Sequence, residues 1–188
     1  MGAVYHHQET WAEGARLLVK DRAGAIEAHD VASESEATQR AHAVRDMMGW
    51  IGTPFRDCGF VKGPNGAVDC AMSLVGTYRE AGLIGDFDPR PYPSRWFQHR
   101  EEERFLDCLA QLGAHETDAA RPGDILVWRF GRTYAHGAVM INAREVCHAY
   151  AAAGQVTVSA IDEPLLAFIG WRGGHVPRPV KYFTLWGR

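Results

Sequence analysis

The chain has no excess of positive charge, no long apolar run and no CxxC pair. Twenty Lys and Arg against 23 Asp and Glu give a formal net charge of −3, so there is no basic field to draw phosphate backbones or anionic lipid, and nucleic acid is not expected as a partner. The apolar runs are short and broken by charge, which argues against a membrane span. The opening MGAVYHHQETWAEGARLL carries charged residues where an export signal needs its apolar stretch, so cytoplasmic synthesis without a signal peptide is expected. Four cysteines, Cys58, Cys70, Cys108 and Cys147, are too few for a disulfide scaffold and too scattered for a structural zinc site. Free thiols are expected, with no metal and no cofactor. His6 and His7 are too few for a metal tract. Repeats and low-complexity tracts are absent.

What is present describes a globular chain. With 188 residues, 46% apolar and 11% aromatic, it has the length of one ordinary domain and the side chains for a real core. Residues 1–34 form an N-terminal segment of unclear role, in which Trp11, Leu17, Leu18, Val19 and Ile26 fit one short helix or strand. Residues 35–188 read as a single domain. From Ser35, the positions Ala37, Ala41, Val44, Met47 and Met48 repeat at three and four, the stripe of an amphipathic helix, which Pro54 closes. A loop rich in Gly then leads to a second helix over 70–81, stopped by Gly82. Residues 86–97, with three prolines and three aromatics, suit an extended connection. HREEERFLDCLAQLG resumes helical periodicity up to Gly113, with REEER as its solvated face. Beyond Pro122 and Gly123, DILVWRF, AHGAVMI, EVCHAY, QVTVSAI and KYFTLW read as strands of an antiparallel sheet. Helices first and strands afterwards predict an α+β fold. Trp96, Trp128, Trp171 and Trp186 are candidates for core or cleft walls.

One constellation carries chemistry. Asp69 is a natural N-cap, which puts Cys70 at the first helical position, where free N–H groups and the helix dipole favour a thiolate. Most free cysteines are instead small buried hydrophobes. The alternation in HGAVMI sets His136, Ala138 and Met140 on one strand face. His148 follows a turn near Asn142 to Arg144, and an odd loop length brings it to the same face, directly or diagonally paired with His136. A thiol nucleophile needs a base, and the base needs a polar partner to fix its ring and tautomer.

The run WIGTPFRDCGFVKGPNGAVDCAMSLVGTYREAGLI resembles the NlpC-type cysteine peptidases. Their pattern is Gly-Thr-Pro-Tyr, a Gly-rich loop, Asp-Cys-Ser-Gly-Leu and a helix ending in Glu-Ala-Gly. Gly52, Thr53, Pro54, Asp69, Cys70, Tyr78, Glu80, Ala81 and Gly82 match. RPGDILVWRF, AHGAVMI and CHAY are similar to the family's later strands, in the same order, so the resemblance spans about residues 45 to 150. YPSRWFQHREEERFLDCL looks like an insertion of phage-associated members. The resemblance implies a papain-like fold with the nucleophile helix packed on a C-terminal antiparallel sheet. It further implies Cys70 as nucleophile, His136 as base and then acid, and His148 as orienting residue. Phe55, Asp57, Asp69 and Ala71 become the substrate-binding candidates. The implied reaction is hydrolysis, through an acyl-enzyme, of amide bonds in peptidoglycan stem peptides, commonly between D-glutamate and a diamino acid, with delivery by phage tail proteins or a similar particle.

Three departures from the pattern bear on the site. Phe55 replaces Tyr, Asp57, Cys58 and Gly59 replace Trp-Gly-Gly, and Ala71 and Met72 replace Ser-Gly. They keep two other readings open: a papain-like amidase or acyltransferase on another small amide, and a structural tail component without catalysis.

Overall fold

A computed structural model of the chain describes residues 8–93, 96–163, 166–169 and 174–187. His6, His7, Trp171 and the side chain of Trp96 lie outside the described residues. Three strands come first, β1 (Glu9–Glu13), β2 (Arg16–Lys20) and β3 (Ile26–Asp30), paired in order as an antiparallel meander. The sequence led us to expect one short element before the helices. The short β-branched runs are separated by tight turns at Gly14 and Gly24, both at positive φ, and such turns let each run fold back on the last. The meander buries Leu17 and Val19 against Ala41. It is also tied to the body by Arg45, whose guanidinium donates to the Thr10 carbonyl at 2.7 Å.

Helix α1 spans Glu34–Met48. Its cap is Ser33, two residues before the Ser35 start read from the sequence. Ser33 Oγ accepts the Glu36 N–H at 3.1 Å, and Glu36 Oε2 accepts the Ala32 N–H at 3.0 Å, so two N–H groups at the helix entrance are satisfied. The expected stripe is buried through Ala37, Ala41, Val44 and Met47. The helix ends at Gly49 rather than running towards Pro54. The Gly-rich loop is partly ordered as a small hairpin, β4 (Phe60–Val61) and β5 (Ala67–Val68). Helix α2 spans Cys70–Glu80, with Gly82 at φ +70 just past its end, as the sequence predicts.

Helix α3 spans Arg104–Gln111. REEER is therefore not a helix face: residues 100–103 precede the helix, Glu101 pairs with Arg132 at 2.9 Å, and Glu103 accepts the Tyr134 N–H at 2.8 Å. These bonds fix the extended chain against the sheet instead. The remaining strands are β6 (His115–Glu116), β7 (Ile125–Phe130), β8 (Thr133–Met140), β9 (Glu145–Tyr150), β10 (Gln155–Ala160), β11 (Ala167–Ile169), β12 (His175–Pro177) and β13 (Val180–Thr184). Six of them form an antiparallel sheet in the order β10-β9-β8-β7-β13-β6, and β11 with β12 form a separate pair. The fold is α+β, with α1 and α2 on one face of this sheet. Between them lies the main core, which includes Met47, Trp50, Met72, Val75, Val139 and Cys147.

Two side chains anchor that packing. Met72 is fully buried and contributes about 2–3 kcal/mol by leaving water, so this bulky residue, two after Cys70, faces the core. Arg40, 2% exposed, lies beneath the start of β7. It donates to Glu36 Oε1 at 2.7 Å, Asp124 Oδ1 at 2.9 Å, the Pro122 carbonyl at 3.1 Å and Thr184 Oγ1 at 3.2 Å, and it stacks on Trp186 at 4.0 Å.

Candidate active site

The site is built from the head of α2 and the central strands. Asp69 Oδ1 accepts the Met72 N–H at 2.9 Å, the N-cap bond that fixes Cys70 at the first turn. Its other oxygen, Oδ2, accepts the Cys58 N–H at 2.6 Å and the Tyr92 hydroxyl at 2.6 Å. Burial raises the Asp69 carboxyl above its ordinary range, against the hydrogen bonds that lower it. Asp69 therefore does its work as an anchor for α2, for the Cys58 turn and for the segment bearing Tyr92. Cys58 takes φ +57, a conformation that costs a residue with a side chain about 1–2 kcal/mol, and its N–H bond to Asp69 helps hold it there.

His136 and His148 meet as the strand pattern predicts. Val139 of β8 is partnered with Cys147 of β9, and both histidines lie an odd number of residues from that pair, on its other face. His136 Nε2 and His148 Nδ1 are 2.7 Å apart. The far nitrogen of His148, Nε2, lies 3.1 Å from Ser159 Oγ on β10, a partner the sequence reading missed. Alternation in QVTVSA sets Ser159 on the same strand face as Thr157, opposite Val156 and Val158, so the pattern alone did not single it out. The rings are held by neighbours: Phe130 lies 5.1 Å from His136, and Tyr150 stacks on His148 at 5.1 Å and 10°. Burial and the neighbouring His148 hold His136 well below its ordinary range. Burial alone lowers His148 to about 4. Both rings are neutral at pH 7.

The sulfur of Cys70 donates to the Ala135 carbonyl at 3.9 Å, one residue before His136, and not to an imidazole nitrogen. Burial first, then the Asp69 carboxylate, pushes the Cys70 thiol up to about 12, against backbone hydrogen bonds that favour the thiolate. This corrects the expectation that a helix start would favour the thiolate: desolvation outweighs the helix dipole. At rest the pair is thiol and neutral imidazole. Cys70 and His136 nonetheless line one cleft of about 140 Å³, together with Phe55, Asp57, Asp69 and Tyr92. Of the substrate-binding candidates, Phe55, Asp57 and Asp69 meet at this cleft. Ala71 does not; it lines a second, apolar cavity of about 110 Å³ behind Cys70.

No protein-family model matches the sequence, and no curated protein does either. Solved structures give distant likenesses. The P60 domain of an antigen from M. avium subspecies paratuberculosis has 18% identity and a TM-score of 0.44, covering 74% of this chain and 91% of that one. The peptidoglycan hydrolase RipB from Mycobacterium tuberculosis has 17% identity and a TM-score of 0.47, covering 80% of this chain and 66% of that one. NlpC1 from Trichomonas vaginalis has 15% identity and a TM-score of 0.48, covering 90% of this chain and 54% of that one.

The tautomers of the relay follow from its end. If Ser159 Oγ accepts from His148 Nε2–H, then His148 Nδ1 accepts from His136 Nε2–H, and His136 Nδ1 is left as a base. A serine hydroxyl at this position can accept as well as donate, which is what the arrangement needs. Gly137, next to the base, has no room for a side chain: a Cβ there would stand 2.5 Å from Phe105 and 2.8 Å from Leu74. Among the described residues no helix is long and apolar enough to cross a membrane.

Proposed function

We propose that the chain is a cysteine amidohydrolase acting on peptidoglycan stem peptides, with the bond between D-glutamate and a diamino acid as its target. The observation that carries this reading is the cleft shared by Cys70 and His136, with His136 backed by His148 and Ser159. On substrate entry the thiol turns from the Ala135 carbonyl and gives its proton to His136 as sulfur attacks the carbonyl carbon. His136 then protonates the leaving amine, and water releases the acyl group. The backbone N–H of Cys70, at the head of α2, is positioned for the oxyanion. Asp57, exposed at the cleft mouth, suits the amine of a diamino acid. A phage tail or similar particle would bring the enzyme to the wall.

Cys70→Ser tests this reading. Digestion of muropeptides followed by mass spectrometry should show cleaved stem peptides with the native chain and a loss of about 10,000-fold or more with the variant, while thermal stability stays nearly unchanged. Intact stem peptides after digestion by the native chain would sink the reading. A second reading, cleavage or acyl transfer on another small amide with the same nucleophile, is favoured by the apolar cavity behind Cys70, which has little to offer a polar D-glutamyl group.

A further inference from the structure

Cys70 sits between two cavities, and they differ in the few polar groups they carry. Cys70, Tyr92 and Ala135 line both. The first contains His136 and Asp57. The second lies between α2 and α3 and is walled by Leu74, Ile84, Phe87, Phe105, Leu109 and Ile125, with Arg104 as its one charged residue. Its two phenols are already engaged, Tyr78 donating to the Gly123 carbonyl at 2.7 Å and Tyr92 to Asp69, so neither hydroxyl is left to greet a polar ligand. Helix α3 buries only Leu109 fully and leaves Phe105 and Leu106 half-buried, so it does not close the space between itself and α2. We propose that this second cavity is the acyl pocket: the apolar group attached to the carbonyl carbon that Cys70 attacks lies between α2 and α3, and the leaving group lies in the cleft with His136. This deepens the second reading above and not the first: the substrate class is a small amide or ester whose acyl side is a short aliphatic chain in place of a D-glutamyl group.

The inference rests on Cys70 being the nucleophile, which both readings above share. The probe is a series of 4-nitrophenyl esters from acetate through butyrate and hexanoate to decanoate. In each, the sulfur–carbonyl carbon bond forms and the ester carbon–oxygen bond breaks. The thiol proton passes by way of His136, the nitrophenol leaves with its oxygen, and water later hydrolyses the thioester. Nitrophenol release and the intact mass of the acylated chain report the same step. The acylation rate should rise by about fourfold per methylene up to the length that fills the cavity, then level or fall. Ile84→Trp or Phe87→Trp, both on the segment that follows α2, should fill the cavity and remove the rise, read as the ratio of the hexanoate to the acetate rate; two variants guard against one that does not fold, and the native series stands without either. A chain that acylates at Cys70 but shows no gain with length overturns the acyl pocket and leaves the nucleophile standing. A Cys70 that no ester acylates overturns the nucleophile, and the pocket with it.

Discussion

Two buried polar clusters flank strand β7, and they solve the same problem in opposite ways. At the strand's start Arg40 is charged and fully met, by two carboxylates, a carbonyl and a hydroxyl. Near its end Trp128 is partnered with His136, which together with His148 is buried and neutral and is met by a single hydroxyl chain. Burying a charge is tolerable only with complete pairing. Burying neutral imidazoles leaves a nitrogen available. The first cluster holds its charges in a closed set of partners, and the second keeps an uncharged nitrogen that the proposed reaction would use.

The comparison can be broken at either end. The largest effect is expected from Arg40→Met, which strands Glu36 and Asp124 and should cost about 3–5 kcal/mol in urea unfolding. A loss under about 1 kcal/mol would make that network ornamental. Acid comes next. His148 is neutral in the folded chain down to about 4, whereas the unfolded chain takes up its proton near 6.5. Its contribution is therefore complete above about 6.5 and lost as pH falls towards 4, a decline of roughly 3 kcal/mol. Asp124, whose carboxyl burial raises, works the other way, gaining as pH falls. Stability of the native chain minus that of His148→Gln, measured at pH 7, 5 and 4, should isolate the histidine slope, and a flat difference would contradict the neutral burial of the ring. The smallest effect is expected from Ser159→Ala, about 1 kcal/mol of stability with a roughly tenfold loss of kcat at constant KM. Its acid limb in the pH–rate profile should move, which a purely structural serine would not cause.

The sequence made the second cluster easier to see than the first. Cys70, His136 and His148 stand out because strand alternation and a capped helix start each put a reactive residue on a definable face, and the structure brings the two imidazoles together as that periodicity requires. Arg40 is hidden by the same logic. An arginine in a helix pattern scores as solvent-facing, and only tertiary contact with Asp124, 84 residues on, turns it inward. Ser159 was missed for a related reason, since a serine in a β-rich run carries no mark of its partner. The N-terminal meander was unreadable because five-residue strands leave too few repeats to separate period 2 from period 3.6. The resting state of the thiol was not legible because the helix dipole is visible in a sequence and desolvation is not.

Gly137 joins the base to the roof of the apolar cavity. The missing Cβ lets Phe105 and Leu74, two of that cavity's walls, lie directly against β8. A single methyl group added there would stand 2.5 Å from Phe105 and 2.8 Å from Leu74, so that those walls or β8 itself would have to shift. Under the acyl-pocket proposal, the depth of the cavity is thus set one peptide bond from His136, at a residue that has no side chain of its own.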